Sequence, residues 1–159
     1  MPIESVISPR PSAIIKKHTA DWKVFEQLEK SHIEQIRKPE SGEHLHLLIE
    51  KIGLNTMDVV DFLSKYFRVE SSAVGYCGRK DKKAIACQWF SVPAKQNVTE
   101  YGEISTGIRV LDAGRHKKKL RIGEHVYNRF EVVLREADFV DSDFLAKEPG
   151  FFLNFYGSQ

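Results

Sequence analysis

The clearest pattern in the chain is the stretch EHLHLLIEKIGLNTMDVVDFLSKYF, which covers residues 43–67. Its first part alternates, with Leu45, Leu47 and Ile49 on one side, and this predicts a strand over 43–52. Asn55 or Thr56 then precedes apolar residues at helical spacing, which predicts a capped helix over 57–67. The apolar positions of that helix are Val59, Val60, Leu63, Tyr66 and Phe67.

Most other apolar segments of the chain have the composition of strands. They are residues 12–16, 20–28, 72–77, 84–92, 107–112 and 119–135, the last broken near Gly123. Residues 31–43 are polar and contain Pro39 and Gly42, which predicts a loop, and a second helix is predicted to begin within 141–147. The pattern as a whole predicts an α+β fold, a mostly antiparallel mixed sheet with one packed helix.

The composition is that of a globular protein. The 159 residues suit one domain, with 42% hydrophobic and 29% charged residues. No apolar run approaches the roughly 18 residues of a membrane span, and the first residues lack the order of a signal peptide. Two cysteines, Cys77 and Cys87, exclude a disulfide-stapled secreted scaffold and are expected to be a reduced, buried pair that could face each other across a hairpin. We therefore expect a soluble cytoplasmic protein.

Basic residues are concentrated in the middle of the chain. Between Arg79 and Arg121 there are eleven Lys or Arg residues against four Asp or Glu residues, although the whole chain carries a formal net charge of only +2. This asymmetry favours a polyanionic partner on one face, but a solvated surface that binds nothing fits the charge equally well.

The most unusual segment is GRKDKK, residues 78–83, which joins two apolar segments. If it is extended, Lys80 and Lys82 share one side and Asp81 points to the other. An Asp among cations stays ionised and can act as a nucleophile or base. The commoner interpretation of such a segment is an ordinary hairpin turn.

A second basic cluster, RHKKKLR, covers residues 115–121 and suits phosphate contacts, although such runs are more often solvated loops. Asn128 and Phe130 stand two apart in a predicted strand and therefore face the same side. Such a pair could stack on a base and hydrogen-bond to its edge. A half-buried Phe and a turn Asn are the commoner alternative.

The six histidines show no spacing typical of a metal site. His44 and His46 share a strand face, but no cysteine or carboxylate follows at a zinc-like interval. We therefore predict surface or hydrogen-bonded histidines and no metal.

Several segments, in order along the chain, resemble the motifs of the TruD family of tRNA pseudouridine synthases. Residues 78–88 resemble the signature G-x-K-D-K-x-A-x-T-x-Q. Ala20 to Val24 resemble the motif "DF-x-V", and Gly42 to His44 together with Asn55-Thr56 resemble "GEH…NT". Arg115 to Gly123 resemble "RH-x-x-KLR-x-G", Asn128 to Phe130 resemble "N-x-F", and Asn154 to Gln159 resemble the start of "PNYFG-x-QRFG".

This resemblance implies an enzyme that isomerises uridine in tRNA, typically uridine-13, to pseudouridine without cofactor or metal. Asp81 matches the catalytic aspartate, which begins the reaction by attacking the sugar or by deprotonating it. Phe130 matches the aromatic that stacks on the target base, Asn128 matches a polar residue that arranges the site, and Lys16 and Trp22 match early positions that line it. The cationic and polar residues expected to contact the phosphates of the tRNA partner are Arg79, Lys80, Lys82, Arg115, His116, Lys117, Lys119 and Arg121.

The chain departs from the family pattern in three respects. Trp22 replaces the usual Phe, and Ala86 replaces the usual Thr of the signature. Family members are also more than twice as long. We therefore expect residues 1–159 to form the N-terminal portion of a catalytic domain, without its remainder or the inserted second domain, and to need a missing C-terminal half or partner chain for activity. The alternatives are a catalytically incomplete RNA-binding fragment and an inactive fragment that does not fold.

Overall fold

The structure is a computed structural model that describes residues 12–36, 42–94 and 101–137. Two α-helices and seven strands lie in these ranges. The helices are α1 (Lys30–Ile36) and α2 (Thr56–Tyr66), and the strands are β1 (Trp22–Gln27), β2 (His44–Ile52), β3 (Gly75–Tyr76), β4 (Ile85–Pro93), β5 (Gly102–Ser105), β6 (Ile108–His116) and β7 (Tyr127–Val132).

The strands form one sheet in the order β5-β6-β2-β4-β1-β7, with β3 also paired to β4. Among the strands of the described ranges, β1 and β4 form the only parallel pair, and the other pairs are antiparallel. The predicted α+β fold with a mostly antiparallel sheet is therefore confirmed. On the same edge of β4, β1 pairs with Ile85 to Cys87 and β3 pairs with Phe90 and Ser91. This division leaves a short gap between β1 and β3, and the candidate site lies beside it.

Helix α2 covers one face of the sheet. Asn55 is its N-cap and accepts a hydrogen bond from the backbone N–H of Asp58 at 2.9 Å, as the sequence predicted. Val59, Val60, Leu63 and Phe67 are buried, together with Leu45, Leu47 and Ile49 of β2. The prediction was wrong for Tyr66, which is half exposed because it lies at the edge of the helical stripe.

The predicted loop over 31–43 was wrong in its first part, because α1 occupies residues 30–36. Ile33 and Ile36 are spaced one helical turn apart and pack with Leu28, Cys77, Trp89 and Leu120 on the opposite face of the sheet from α2. Close approach is possible because β6 has a glycine there: a Cβ atom at Gly114 would overlap the carbonyl oxygen of Ile36.

A β-bulge in β6 determines which of its side chains reach α1. Leu48 lies opposite Asp112 but Ile49 lies opposite Val110, so Leu111 has no partner in β2. The extra residue reverses the alternation. Ile108 and Val110 therefore face α2, whereas His116 faces α1.

Several predicted strands are shorter than expected. Residues 12–16 contribute only the isolated bridge between Ile14 and Arg135, and residues 72–77 form a strand only at Gly75–Tyr76. Residues 119–126 form no strand, and within them Gly123 adopts a positive φ of 90°. Strand β5 was missed. The predicted helix at 141–147 and the motif at 154–159 lie outside the described residues.

The two cysteines are free and buried, as predicted. They do not face each other across the β3–β4 hairpin, because Cys87 lies opposite Phe25 of β1 and Glu50 of β2. Burial raises the pKa of the Cys77 thiol to about 12 and that of Cys87 to about 11, so both are protonated at neutral pH. In the part of the chain that the structure covers, no helix is long and apolar enough to cross a membrane.

Candidate functional site

The segment 78–83 lies between β3 and β4 and is held by side chains of α2 and β4. Gln88 Nε2 donates to the carbonyl oxygen of Gly78 at 2.5 Å, and Thr56 Oγ1 donates to Gln88 Oε1 at 3.0 Å. Thr56 Oγ1 also accepts from the backbone N–H of Lys80 at 2.8 Å. Because Thr56 and Gln88 are buried, these bonds anchor the backbone on both sides of Arg79.

A buried ion pair fixes the middle of the same segment. Lys80 Nζ donates to Glu26 Oε2 at 2.5 Å, with the two side chains 6% and 0% exposed. Glu26 Oε1 accepts the backbone N–H of Trp89 at 3.0 Å, in the gap between β1 and β3. The Glu26 carboxylate thus replaces the missing strand partner of Trp89, and Lys80 neutralises its charge.

Lys51 supports the backbone of Asp81 from beneath. Its side chain is fully buried, and Nζ donates to the carbonyl oxygens of Leu54 at 2.6 Å and Asp81 at 2.7 Å. Burial lowers the pKa of this ammonium to about 8, and the charge of Asp81 limits the fall. The peptide that carries Asp81 is therefore tied to the middle of the sheet.

The Asp81 side chain is 56% exposed and pairs with Lys16, whose Nζ donates to Asp81 Oδ2 at 2.5 Å. The same Nζ lies 4.2 Å from the centroid of the Trp22 ring. Lys16 adopts a left-handed backbone conformation with a φ of 55°, which is uncommon for a residue with a side chain. The Lys16 ammonium thus contacts both the exposed Asp81 carboxylate and the Trp22 ring.

Phe130 completes that surface. In the antiparallel register Trp22, Val24 and Glu26 lie opposite Val132, Phe130 and Asn128, so all six side chains share one face. The rings of Trp22 and Phe130 are 5.7 Å apart in an edge-on arrangement. Phe130 is half exposed. The structure therefore places Lys16, Trp22, Asp81, Asn128 and Phe130 together.

Two polar atoms at this site are buried without a hydrogen-bond partner among the described residues. They are Trp22 Nε1, a donor, and Asn128 Oδ1, an acceptor. Buried polar atoms without partners are rare in folded proteins. Both atoms are shielded from solvent, so a ligand with complementary polar groups would reach them only after the surrounding side chains move.

The residues predicted to contact phosphate fall into two groups. Arg79, Lys82, Lys117 and Arg121 are exposed. Lys80 is buried against Glu26, His116 is buried and bonded to Gln35, Lys119 Nζ donates to the carbonyl oxygen of Ser72, and Arg115 Nη1 donates to that of Gly42. The second group makes structural contacts because these side chains point back toward the protein.

Sequence reasoning missed Glu26 and Lys51 as parts of the site. Both are charged residues within otherwise apolar strand patterns, and that placement was the available signal. Their partners are 54 and 30 residues away along the chain, in the 78–83 segment, so the pairing was not visible in the sequence.

Three histidines also lie together, contrary to the prediction that the histidines form no ligand set. One potential ligand atom from each of His32, His46 and His116 lies within 4.8 Å of the other two. Burial lowers the pKa of His46 to about 3, so this imidazole is neutral at pH 7. The cluster lies on the α1 face of the sheet, away from the α2 face.

Comparisons with known proteins give a consistent result. The sequence matches the family described as tRNA pseudouridine synthase D (TruD) over residues 7–159. It is 40% identical over 130 residues to tRNA pseudouridine synthase D of Colwellia psychrerythraea, covering 80% of this chain and 34% of that protein. It is 47% identical over 105 residues to tRNA pseudouridine synthase D of Cellvibrio japonicus, covering 63% of this chain and 31% of that protein.

The fold is also similar to that of a solved structure, a TruD protein from Methanosarcina mazei. The TM-score is 0.68 at 21% identity, over 85% of this chain and 30% of the other. The chain thus spans about a third of the length of the curated relatives that it matches. With a family match that covers nearly all of its residues, the chain belongs to the TruD family of tRNA pseudouridine synthases.

Proposed function

We propose that this chain functions in the conversion of uridine to pseudouridine in tRNA, with Asp81 as the catalytic carboxylate and uridine-13 as the target. We further propose that residues 1–159 are the N-terminal portion of the catalytic domain and that the protein works in the cytoplasm. The reaction breaks the glycosidic bond, turns the base and joins carbon to carbon. It needs a carboxylate that reaches the sugar and a surface that holds the base.

The observation that carries this proposal is the Lys16–Asp81 pair beside the rings of Trp22 and Phe130. The Asp81 carboxylate is held in position by the Lys16 ammonium and remains exposed enough to reach a sugar. An exposed aromatic ring beside it offers a base a stacking surface, which contributes about 1–3 kcal/mol per base.

The unpartnered atoms support uracil as the base. Uracil presents carbonyl acceptors and an N–H donor on its pairing edge, which complement Trp22 Nε1 and Asn128 Oδ1. Cytosine has an unprotonated N3 in place of that donor and an amino group in place of the O4 acceptor, so two hydrogen-bonding positions of its edge are reversed. In this proposal, the two side chains distinguish the bases after the target leaves its stack.

The exposed cations support an RNA partner. Arg79, Lys82 and Lys83 flank Asp81, and Lys117, Lys118 and Arg121 form a second exposed group. These side chains are available to phosphates, whereas Lys80 and His116 have structural partners. The set of residues proposed to contact phosphates is therefore smaller than the set predicted from the sequence.

The test is tritium release from tRNA labelled at carbon 5 of uridine, using this chain joined to the remaining sequence of the Colwellia psychrerythraea relative. Asp81→Asn should abolish release, and Asp61→Asn, an exposed carboxylate on α2, should not. A tRNA with cytidine at position 13 should release no tritium. Release by Asp81→Asn at the parental rate would overturn the catalytic assignment, and tRNA binding without turnover by the parent would favour the RNA-binding fragment.

A further inference from the structure

The three clustered histidines come from three different elements. His32 lies on α1, His46 on β2 and His116 at the end of β6. His32 Nε2 is 3.2 Å from His46 Nδ1, and the rings of His32 and His116 are stacked with centroids 4.2 Å apart. The bulge at Leu111 brings His116 to this face, and Gly114 lets α1 approach it.

One backbone carbonyl orients two of these rings. The carbonyl oxygen of Lys118 lies 2.8 Å from His46 Nε2 and 3.1 Å from His116 Nδ1. When both nitrogens donate to it, the lone pairs of His46 Nδ1 and His116 Nε2 face away from the carbonyl. His116 Nδ1 also lies 3.1 Å from the backbone nitrogen of Lys118, so metal binding requires the tautomer in which Nδ1 donates to the carbonyl instead of accepting from that N–H. Metal-binding histidines commonly have this arrangement, in which the other ring nitrogen donates to a backbone carbonyl.

The cluster opens into a cavity of about 360 Å³ lined by His32, His116, Gln35, Glu29 and Glu124 among others. A ligand can therefore reach the rings of His32 and His116 from solvent, whereas His46 lies buried behind them. Its lining also includes Lys117 and Lys118, which balance the formal charges of Glu29 and Glu124, so the imidazole nitrogens rather than the charge of the cavity favour a metal ion.

We propose that His32 Nε2, His46 Nδ1 and His116 Nε2 bind a zinc ion, with the fourth position open to the cavity. Zinc takes neutral imidazole nitrogens at about 2.0–2.1 Å in tetrahedral geometry, which separates ligand atoms by about 3.3–3.4 Å. The 3.2 Å between His32 and His46 matches one edge of such a site. One nitrogen of each ring lies within 4.8 Å of the other two. Because the rings of His32 and His116 are stacked at 16°, they must rotate for their lone pairs to converge on one ion, and His116 Nε2 must leave Gln35.

Zinc at this position would join α1 to β2 and β6. It lies on the sheet face opposite α2, so it takes no part in the chemistry proposed for Asp81. Three neutral nitrogen ligands without a thiolate favour zinc, cobalt or copper over magnesium and calcium, which prefer oxygen.

The experiment is a titration of the chelator-treated 159-residue chain with Zn²⁺ followed by calorimetry, and with Co²⁺ followed by visible absorption. We expect one saturable site per chain, an intense tetrahedral cobalt spectrum, and a rise in thermal midpoint with Zn²⁺ but not with Mg²⁺. Absence of saturable zinc binding, or a weak octahedral cobalt spectrum, would overturn the proposal.

Variants locate the site. His32→Gln should weaken zinc binding by at least about 100-fold, since losing a ligand costs more than the 10–100-fold typical of an outer partner. His32 is partly exposed on a short helix. The circular dichroism spectrum of the His32→Gln variant shows whether it folds. His18→Gln, at an exposed histidine outside the cluster, should bind zinc as the parent does. Equal zinc affinity in the parent and a folded His32→Gln would place the ion elsewhere and overturn the assignment.

Discussion

The residues around Asp81 differ in what they do, although most of them are charged. Lys16 contacts the Asp81 carboxylate itself, Lys51 donates to the backbone carbonyl of Asp81, and Lys80 forms a buried ion pair with Glu26. Three lysines of similar sequence character therefore have three physical roles, which single substitutions can separate.

Removing Lys80 should destabilise the protein. Lys80→Met leaves the Glu26 carboxylate buried without a counter-charge, and breaking a buried pair typically costs about 3–5 kcal/mol. Lys82→Met, at an exposed neighbour, should change the free energy of unfolding by less than about 0.5 kcal/mol. Urea unfolding of both variants measures the difference. Equal free energies of unfolding for the two variants would show that the buried Glu26 carboxylate does not need the charge of Lys80.

Removing Lys16 should instead slow the reaction. Lys16→Met deletes the ammonium beside Asp81 Oδ2, and in the completed enzyme we expect kcat to fall by about 100-fold, the size seen when one electrostatic partner of a reacting group is removed. The matched control is Lys17→Met, because Lys17 pairs with Glu136 away from Asp81. A change confined to KM would contradict the role, since it would mean that Lys16 only helps to bind tRNA.

At the scale of elements, the site depends on short contacts between segments distant in sequence. Ile14 bridges to Arg135 through two backbone hydrogen bonds, and Arg135 forms two further bonds with the Asp21 carboxylate at 2.7 and 2.9 Å. These contacts tie the segment that carries Lys16 to the chain beyond β7. The hydrogen bonds from Arg135 lower the pKa of Asp21 to about 2.

This tie should weaken in acid. Because the pKa of Asp21 is about 3.8 unfolded and about 2 folded, its stabilisation is present above pH 3.8 and is lost as the pH falls through 2. The free energy of unfolding of the parent should therefore fall across this window more steeply than that of Asp21→Asn. Parallel pH profiles for the two proteins, measured by urea unfolding, would show that Asp21 has the same pKa in both states.

The approach of α1 to the sheet depends on Gly114. A methyl group there would overlap the Ile36 carbonyl, so Gly114→Ala should lower stability by about 1–3 kcal/mol and displace α1. The zinc affinity should fall with it, because His32 lies on α1. Gly53→Ala is a useful contrast, because the new methyl group meets no atom within 4 Å and the cost comes only from the positive φ of 68°. Unchanged zinc affinity in Gly114→Ala would contradict the coupling.

At the scale of the whole molecule, positive charge is concentrated on part of the surface rather than reflected in the net charge. The formal net charge is only +2, yet exposed cations flank Asp81 and follow β6. About a third of the length of the curated relatives is represented in this chain, and this third carries Asp81 and its aromatic neighbours.

Phosphate binding should appear in the salt dependence of tRNA affinity. Changing Lys117 and Lys118 together to Ala should weaken binding at low salt and lower the slope of log K against log salt by about 0.7–0.9 for each phosphate that is no longer neutralised. Lys30→Ala with Lys65→Ala, two exposed lysines on the helices, provides the matched change in net charge. Equal slopes for the two double variants would mean that Lys117 and Lys118 are only solvated.

The sequence by itself determined the elements whose signals are local. The alternation of Leu45, Leu47 and Ile49, the Asn55 cap and the stripe of Val59, Val60 and Leu63 require only neighbours along the chain, and β2 and α2 formed as predicted. Asp81 stood out for the same reason, as one carboxylate among local cations.

Tertiary structure alone decided which distant side chains meet. The bulge at Leu111 reversed the faces of β6 and turned His116 toward His32 and His46. Such a one-residue shift is defined by the pairing of β6 with β2, so the alternation within β6 alone does not reveal it. The gap between β1 and β3 likewise exists only in the assembled sheet, and it is why Glu26 is buried beside Trp89 and requires Lys80. Cross-strand register depends on pairing between segments far apart in sequence, so these contacts could not be predicted from either segment alone.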